Sequence, residues 1–268
     1  MPDPAATPGP VRGTPARVTW WGHGTVLLTD SGTTLLTDPV LTDRVAHLRR
    51  RRGSAPPVEA ARVDGVLVSH QHSDHLHVGS LRRIPVDVPV VLPRGAARRV
   101  RGLGRTGHEL LEVSPGDEVT VGALTVRVVP AVHDGRRLPR GPHDCPALGF
   151  VVQGRRRSYF AGDTALTGDM AGWAPGCDLA LLPVGGWGPS LGPGHMDAAR
   201  AAEAAALLQP RLAVPVHFGT LWPLGCDRLR PELFVPPGAE FVRRAAERGV
   251  RAVELVPGGS LVLDEVLG

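Results

Sequence analysis

The chain reads as an α/β protein with two packed sheets flanked by helices. Three observations predict this. Apolar runs of strand length, bounded by turn residues, recur from one end to the other. Both halves mix such runs with helical segments, and the first half is rich in hairpin-like pairs. Several runs stop abruptly at histidine or aspartate, as strands do where α/β sheets hold their ligands. The 268 residues suit one large α/β domain or two small ones, and no shift in composition divides them. The expected organisation is a disordered Pro/Ala/Gly-rich tail over residues 1–15 and a single domain over 16–268.

Taken in order, strands are expected at Arg17–Trp21, Thr25–Thr29 and Thr33–Thr37, the last two joined as a hairpin by Asp30-Ser31-Gly32. Residues 43–62 form a basic, Pro-containing connection around Arg49-Arg50-Arg51-Arg52, either a solvated loop or a rim that attracts an anion. Val66-Leu67-Val68 is a buried strand. A short helix over Leu76–Arg83, a strand at Pro89–Leu92 and a helix at Ala96–Val100 follow. Strands then come at Glu118–Val121, Leu124–Val129, Ala147–Val152, Ser158–Ala161 and Asp178–Pro183, with a loop rich in Gly, Pro, Arg and His over 134–146. Met196–Leu208 has alanines and leucines at helical spacing with Pro210 beyond it. Leu212–Val216 is a strand, Gly238–Arg248 a helix closed by Gly249, and Val253–Val256 and Leu261–Leu263 complete the sheets.

Hydrophobic content is 42%, charged content 21% and net charge +4, a balance that suits a globular protein and permits an anionic substrate. Every one of the 30 basic residues is arginine. They are scattered and not gathered into an aromatic-interleaved stripe, so nucleic acid is not the expected partner. The three cysteines Cys145, Cys177 and Cys226 are sparse and odd in number, which fits a reducing cytoplasm. No secretory h-region, apolar span or amphipathic anchor is evident, so stable membrane attachment is not expected.

The chemistry concentrates in Ser69-His70-Gln71-His72-Ser73-Asp74-His75, directly behind Val66-Leu67-Val68. Imidazole and carboxylate are ligands for zinc and similar divalent ions. Three further strands deliver the same side chains at their tips: His133 after Leu124–Val129, Asp163 after Ser158–Ala161, and His217 after Leu212–Val216. Seven ligands exceed what one tetrahedral zinc uses. They suit two divalent ions about 3.5–4 Å apart, an arrangement used to hydrolyse phosphate esters and acyl groups. Ions bridged by a carboxylate lower the pKa of a shared water, and the hydroxide attacks the substrate.

His70-x-His72-x-Asp74-His75, then His133, Ala161-Gly162-Asp163-Thr164 and Pro215-Val216-His217, resemble the metallo-β-lactamase superfamily from about residue 17 to 264. The resemblance implies a four-layer αββα sandwich with its site at one edge between the sheets. It also implies that His70, His72 and His133 hold the first metal, that Asp74, His75 and His217 hold the second, and that Asp163 bridges them. Zinc is the expected metal, with manganese or iron as alternatives. The segments Val18-Thr19-Trp20-Trp21-Gly22-His23-Gly24-Thr25, Leu36-Thr37-Asp38-Pro39-Val40, Gly194-His195-Met196 and Val214-Pro215-Val216-His217-Phe218-Gly219-Thr220 are similar to a narrower branch. That branch contains L-ascorbate-6-phosphate lactonase and the N-acylphosphatidylethanolamine-hydrolysing phospholipase D. His77 and Phe218 depart from it, where Asp and Trp are common.

The expected activity is therefore metal-dependent hydrolysis of a small ester, lactone or phosphodiester. Asp74 orients the attacking hydroxide, and His195, before a helix N-terminus that would keep it neutral, is the candidate proton donor. His23 and His143 are candidates for contact with the ligands or the substrate. Asp38 is a candidate for orienting a metal-binding histidine. Arg136, Arg137 and Arg140 either clamp a phosphate or lie on a solvated loop. His47, His77 and His108 read as surface histidines. Di-iron redox chemistry, with which the third position of the motif would be Glu and not His72, is a weaker alternative. Nucleic-acid processing and a non-catalytic metal-binding protein are others.

Overall fold

A computed structural model describes residues 14–137, 145–188 and 190–268. The strands, in chain order, are β1 (Arg17–Gly22), β2 (Thr25–Asp30), β3 (Thr33–Thr37), β4 (Arg44–Val45), β5 (Leu48–Arg50), β6 (Gly65–Leu67), β7 (Val90–Pro93) and β8 (Leu110–Val113). The second half adds β9 (Glu118–Val121), β10 (Leu124–Ala131), β11 (Ala147–Gln153), β12 (Arg157–Phe160), β13 (Leu179–Pro183), β14 (Leu212–Val216), β15 (Leu221–Pro223) and β16 (Gly259–Val262).

One sheet has the order β16-β1-β2-β3-β6-β7-β8, the other β14-β13-β12-β11-β10-β9. Each is antiparallel on one side and parallel on the other: β3, β6, β7 and β8 run parallel in the first sheet, and β12, β13 and β14 in the second. Antiparallel strands need only short turns. At the β2–β3 connection Ser31 and Gly32 have φ of 50° and 78°, the two left-handed residues of a hairpin turn that matches strand twist. Parallel strands need crossovers, and these are the segments that carry the helices.

The period-2 alternation of a strand splits its side chains between two cores. Leu35, Leu67 and Val91 face the second sheet and join Val126, Val128, Leu148 and Phe150. Leu36, Val66, Val68, Val90 and Leu92 face outward onto Leu76, Leu81, Ala96 and Leu103. Helices Ala198–Leu208 and Pro236–Ala246 cover the outer face of the second sheet through Ala201, Ala205, Leu208, Phe241 and Ala245. The layers are helix, sheet, sheet, helix, the expected αββα sandwich.

Several local expectations need correction. Residues 43–62 are not a plain loop: β4 and β5 form a hairpin that pairs with β15 in a third, three-stranded sheet. Tertiary pairing supplies what the Arg-rich sequence hides. Val253–Val256 is not a strand, and only Ala252 bridges to Ala213. The segment expected to end in a strand at Leu263 turns at that residue into a terminal helix, Leu263–Leu267. β8 escaped notice because Leu110-Leu111-Glu112-Val113 lacks alternation. There Glu112 accepts the Gly95 and Ala97 N–H groups at 2.9 and 2.8 Å. Of the expected tail only residues 14 and 15 are described. Among the described residues no helix is long and apolar enough to cross a membrane.

Candidate metal centre

Six strand ends converge on one edge of the sandwich. β1 ends at His23, β3 at Asp38, β6 runs on to Ser69 and His70, β10 to His133, β12 to Asp163 and β14 to His217. His23, Asp38 and His217 have φ of 54°, 36° and 61°. A left-handed backbone costs a non-glycine residue on the order of 1–3 kcal/mol and persists only where surroundings impose it. They do so here: His217 N–H donates to His23 O at 2.9 Å, the Trp20 indole donates to the same oxygen at 2.9 Å, and Asp38 N–H donates to Leu67 O at 2.9 Å. After Ser69 the chain closes a helical turn, with Leu76 N–H on His72 O at 2.8 Å. That turn brings His70, His72, Asp74 and His75 together.

The hydrogen bonds determine which nitrogen each histidine presents. Asp38, fully buried, accepts Ser69 N–H at 2.7 Å, the Ser69 hydroxyl at 2.6 Å and His75 Nδ1–H at 2.7 Å. The Ser69 hydroxyl is thereby committed as a donor, so it accepts from His70 Nδ1–H at 3.0 Å. His133 Nδ1–H donates to Gly194 O at 2.8 Å and His217 Nδ1–H to Gly185 O at 3.2 Å. Each of these four rings is left with an Nε2 lone pair, and all four point inward.

The lone pairs meet one another. His75 Nε2 and His217 Nε2 are 2.9 Å apart, and with both Nδ1–H groups donated elsewhere two neutral rings have no proton to place between them. His70 Nε2 and His133 Nε2 lie 2.9 and 3.2 Å from His72 Nδ1. Asp163 sits between the two groups, with Oδ2 3.3 Å from His75 Nε2 and 3.9 Å from His70 Nε2, and Oδ1 3.3 Å from His217 Nε2. Asp163 Oδ1 is buried without a hydrogen-bond partner. Buried acceptors crowded together without donors are costly unless a cation lies among them. Among the described residues four overlapping groups fit that need: His70, His72 and His133; His23, Asp74, His75 and His217; His70, His75 and Asp163; and His133, Asp163 and His195. Asp74 Oδ2 is 3.6 Å from His75 Nε2.

Proton affinities follow. Burial holds His70 well below its usual value, and the neighbouring imidazoles push the same way. Burial, then His133, lowers His72 to about 4. Burial also lowers His133 and His217. His75 is opposed by burial but raised by Asp163, Asp38 and Asp74. Asp74 and Asp163 are opposed by burial but held below the usual carboxylate range by the surrounding histidines.

Residues 33–218 match the family profile described as "Beta-lactamase superfamily domain". A "UPF0173 metal-dependent hydrolase" from Opitutus terrae is 36% identical over 91% of this chain and 99% of its own length. One from Thermus thermophilus is 33% identical over 92% and 99%. The chain belongs to the metallo-β-lactamase superfamily, in this UPF0173 family. Solved structures share the fold at lower identity. Igni18, a metallo hydrolase from Ignicoccus hospitalis, superposes with a TM-score of 0.68 at 22% identity, covering 92% of this chain and 98% of that one. An isothiocyanate hydrolase from Delia radicum gut bacteria gives 0.68 at 20%, covering 91% and 98%.

The superfamily site opens into a cavity of about 460 Å³ lined by His72, Asp74, Arg136, Arg137, Trp187 and His195, among others. His195 Nε2 is 3.4 Å from Asp163 Oδ2, and its ring stands edge-on to His133 with centroids 4.7 Å apart. The expected lowering of its proton affinity by a helix N-terminus does not dominate. His195 precedes the helix cap, Asp197, whose side chain accepts Arg200 N–H, and although burial lowers its proton affinity, contact with Asp163 raises it overall. His23 is 1% exposed and donates from Nε2 to Asp74 Oδ2 at 2.8 Å, behind the ligands and off the cavity wall. His143 and Arg140 lie outside the described residues.

The run Arg49–Arg52 is not an anion rim. Arg49 donates to Ala46 O and Leu48 O, Arg50 to Trp21 O and Val40 O, Arg51 pairs with both oxygens of Asp227, and Arg52 lies 3.6 Å from Glu254. His108 is buried, with its ring nitrogens 3.0 and 2.9 Å from Val88 O and Leu81 O. Sequence reasoning missed Ser69, which links Asp38 to His70, and the glycine carbonyls that orient His133 and His217. Gly194 carried a usable signal: a Cβ there would lie 2.7 Å from His133 Nδ1. Trp187 on the cavity wall was missed as well.

Proposed function

We propose that the protein is a dinuclear metal-dependent hydrolase of a small ester, lactone or phosphodiester. One observation carries this reading: His70, His75, His133 and His217, whose Nδ1–H groups are committed elsewhere, crowd their Nε2 atoms around His72 and the buried Asp163 carboxylate, whose Oδ1 has no hydrogen-bond partner. His70, His72 and His133 would hold one ion, Asp74, His75 and His217 the other, and Asp163 would bridge them. Bound there, two divalent ions, most simply zinc, supply an acidified water and offset negative charge that develops in the transition state. Five imidazoles and two carboxylates give borderline-soft donors that suit zinc, with manganese or iron as alternatives.

The chain's own groups do the rest. Asp38 holds His75 directly and His70 through Ser69, so neither ring can turn its N–H inward. His23 holds Asp74 Oδ2 and so orients the carboxylate that lines the cavity. His195, raised in proton affinity beside Asp163 and facing the cavity, carries the proton for the leaving group. The backbone of Gly186, Gly188 and Gly192 leaves room for substrate on the opposite wall.

The test joins metal analysis to a panel of esters, lactones and phosphodiesters, with His72→Ala and Asp163→Ala beside the parent. Two equivalents of metal and hydrolysis that both substitutions abolish are expected. Activity surviving both changes, or stoichiometric iron with oxygen consumption, overturns the proposal.

A further inference from the structure

The cavity over the metal cluster has two unlike walls. One is formed by His72, Ser73, Asp74, Asp134, Arg136 and Arg137. The other is formed by residues 186–188 and 190–192, which present glycine backbone, Trp187 and Leu191. Trp187 is 39% exposed and Leu191 38%, large apolar side chains left open at a pocket mouth. The indole is braced: His47, in the turn between β4 and β5, stands edge-on to it with centroids 4.9 Å apart. The segment beneath is pinned by the Trp222 indole, which donates to Gly186 O at 3.1 Å.

The two arginines on the charged wall differ. Arg136 is occupied, donating from Nε to Asp134 Oδ1 at 2.8 Å and from Nη2 to Asp134 Oδ2 at 2.5 Å. Among the described residues no carboxylate lies within ion-pair distance of Arg137, although Asp74 is near enough to act on its charge while burial lowers its proton affinity. Its Nη1 donates to Gln71 O at 2.7 Å and Leu76 O at 2.9 Å, the two ends of the turn that carries His72, Asp74 and His75. This fixes the guanidinium plane against the ligand-bearing turn. Among the described residues the remaining N–H groups have no hydrogen-bond acceptor, and neither Nε nor Nη2 is among the sealed-in polar atoms without a partner. A half-buried guanidinium held by one nitrogen, with the others turned to a cavity, is arranged to receive a carboxylate or phosphate through two parallel bonds.

We propose that the substrate is a small amphipathic anion whose carboxylate or phosphate is held by Arg137 and whose apolar part lies on Trp187 and Leu191. Its scissile bond then lies between these anchors, over the His72–Asp74 turn and His195. A cavity of about 460 Å³ limits the ligand to a small molecule. The proposal rests on the hydrolase reading for what happens to the bond, but not for the binding of the charge.

Binding therefore tests it apart from turnover. Phenylacetate, phenyl phosphate and neutral phenylacetamide are titrated calorimetrically into chelator-treated protein, where no metal can capture the anion. At least one anion is expected to bind about 10-fold or more tightly than the amide, because a hydrogen bond to a charged group outweighs a neutral one by that order. The arm that wins tells carboxylate from phosphate. Arg137→Met should erase the preference, Arg137→Lys should restore part of it, and Trp187→Ala should weaken all three ligands alike. Unfolding midpoints and metal stoichiometry of the reloaded variants show whether the site survives. Equal binding of anions and amide by the parent, or an anion preference unchanged in Arg137→Met, overturns the proposal. If the anion preference holds but no ester, lactone or phosphodiester is hydrolysed by the metal-loaded protein, the hydrolase reading fails while the anion site stands.

Discussion

Asp38→Asn isolates the role of a carboxylate that touches no predicted metal. The change is nearly isosteric, and asparagine tolerates the left-handed backbone found at this position, φ 36°. The backbone is therefore spared. The hydrogen bonding is not. Asp38 Oδ1 takes the Ser69 N–H, and Oδ2 takes both the Ser69 hydroxyl and His75 Nδ1–H. With the amide oxygen kept on Ser69 N–H, the amide NH₂ faces two donors. Relief requires His75 to move its proton to Nε2, the nitrogen that points at His217, Asp163 and Asp74. Protonated there, His75 can no longer serve as a ligand. Losing such an orienting partner typically costs 10–100-fold in metal affinity, about 1.4–2.8 kcal/mol. Competition against a chromophoric chelator measures it: the site of His75, His217 and Asp74 should weaken by that factor, and the site of His70, His72 and His133 by less. The protein should also lose roughly 1–3 kcal/mol of stability from buried bonds made unfavourable. Two metals bound with parental affinity would refute the proton-placement reasoning.

Further outcomes follow from particular contacts. Gly194→Ala places a Cβ 2.7 Å from His133 Nδ1, so it should displace that ring and lower bound metal toward one equivalent, read by elemental analysis. In metal-free protein, His72 at about 4 against 6.5 unfolded means the unfolded chain binds more protons between those values. Stability is then full above 6.5 and falls through that window by about 3 kcal/mol for this residue. His70, His133 and His217 act in the same direction and His75 oppositely. Denaturant melts with chelator at neutral pH and at about pH 5 measure the net loss. Unchanged stability would contradict the neutral assignment. Burial pushes the Cys177 thiol up to about 12, so native protein should label at the partly exposed Cys226 well before Cys177, as mass spectrometry of alkylated peptides would show.

Much of the fold was legible because its signals are local. The short run Thr33–Thr37, rich in strand-forming residues, and the turn residues Ser31 and Gly32 define a hairpin without reference to the rest of the chain. The alanine-rich run ending before Pro210 marks a helix in the same way. β5 and β15 were not legible, because an Arg-rich tripeptide becomes a strand only when Leu221–Pro223 lies beside it. The terminal helix escaped for a similar reason: Leu263 and Leu267 reach the core only once β16 is paired to β1.

The candidate centre divides along the same line. The amino-acid sequence by itself determined which side chains are available: imidazoles and carboxylates at strand tips, in a spacing that one helical turn brings together. Tertiary structure decided their proton states and their direction. A histidine's tautomer depends on what its second nitrogen meets, and for His133 and His217 those partners are carbonyls 61 and 32 residues away in the chain. The sequence offered Asp38 as a candidate for orienting a metal-binding histidine, but which histidine was decided only when β3 and β6 lay parallel and set it beneath Ser69 and His75. Likewise Arg137 and Arg136 are indistinguishable in sequence, and only folding gives one a carboxylate and leaves the other facing the cavity. Composition supplies the groups, but electrostatics acts over distance and direction, and those exist only once the chain has closed on itself.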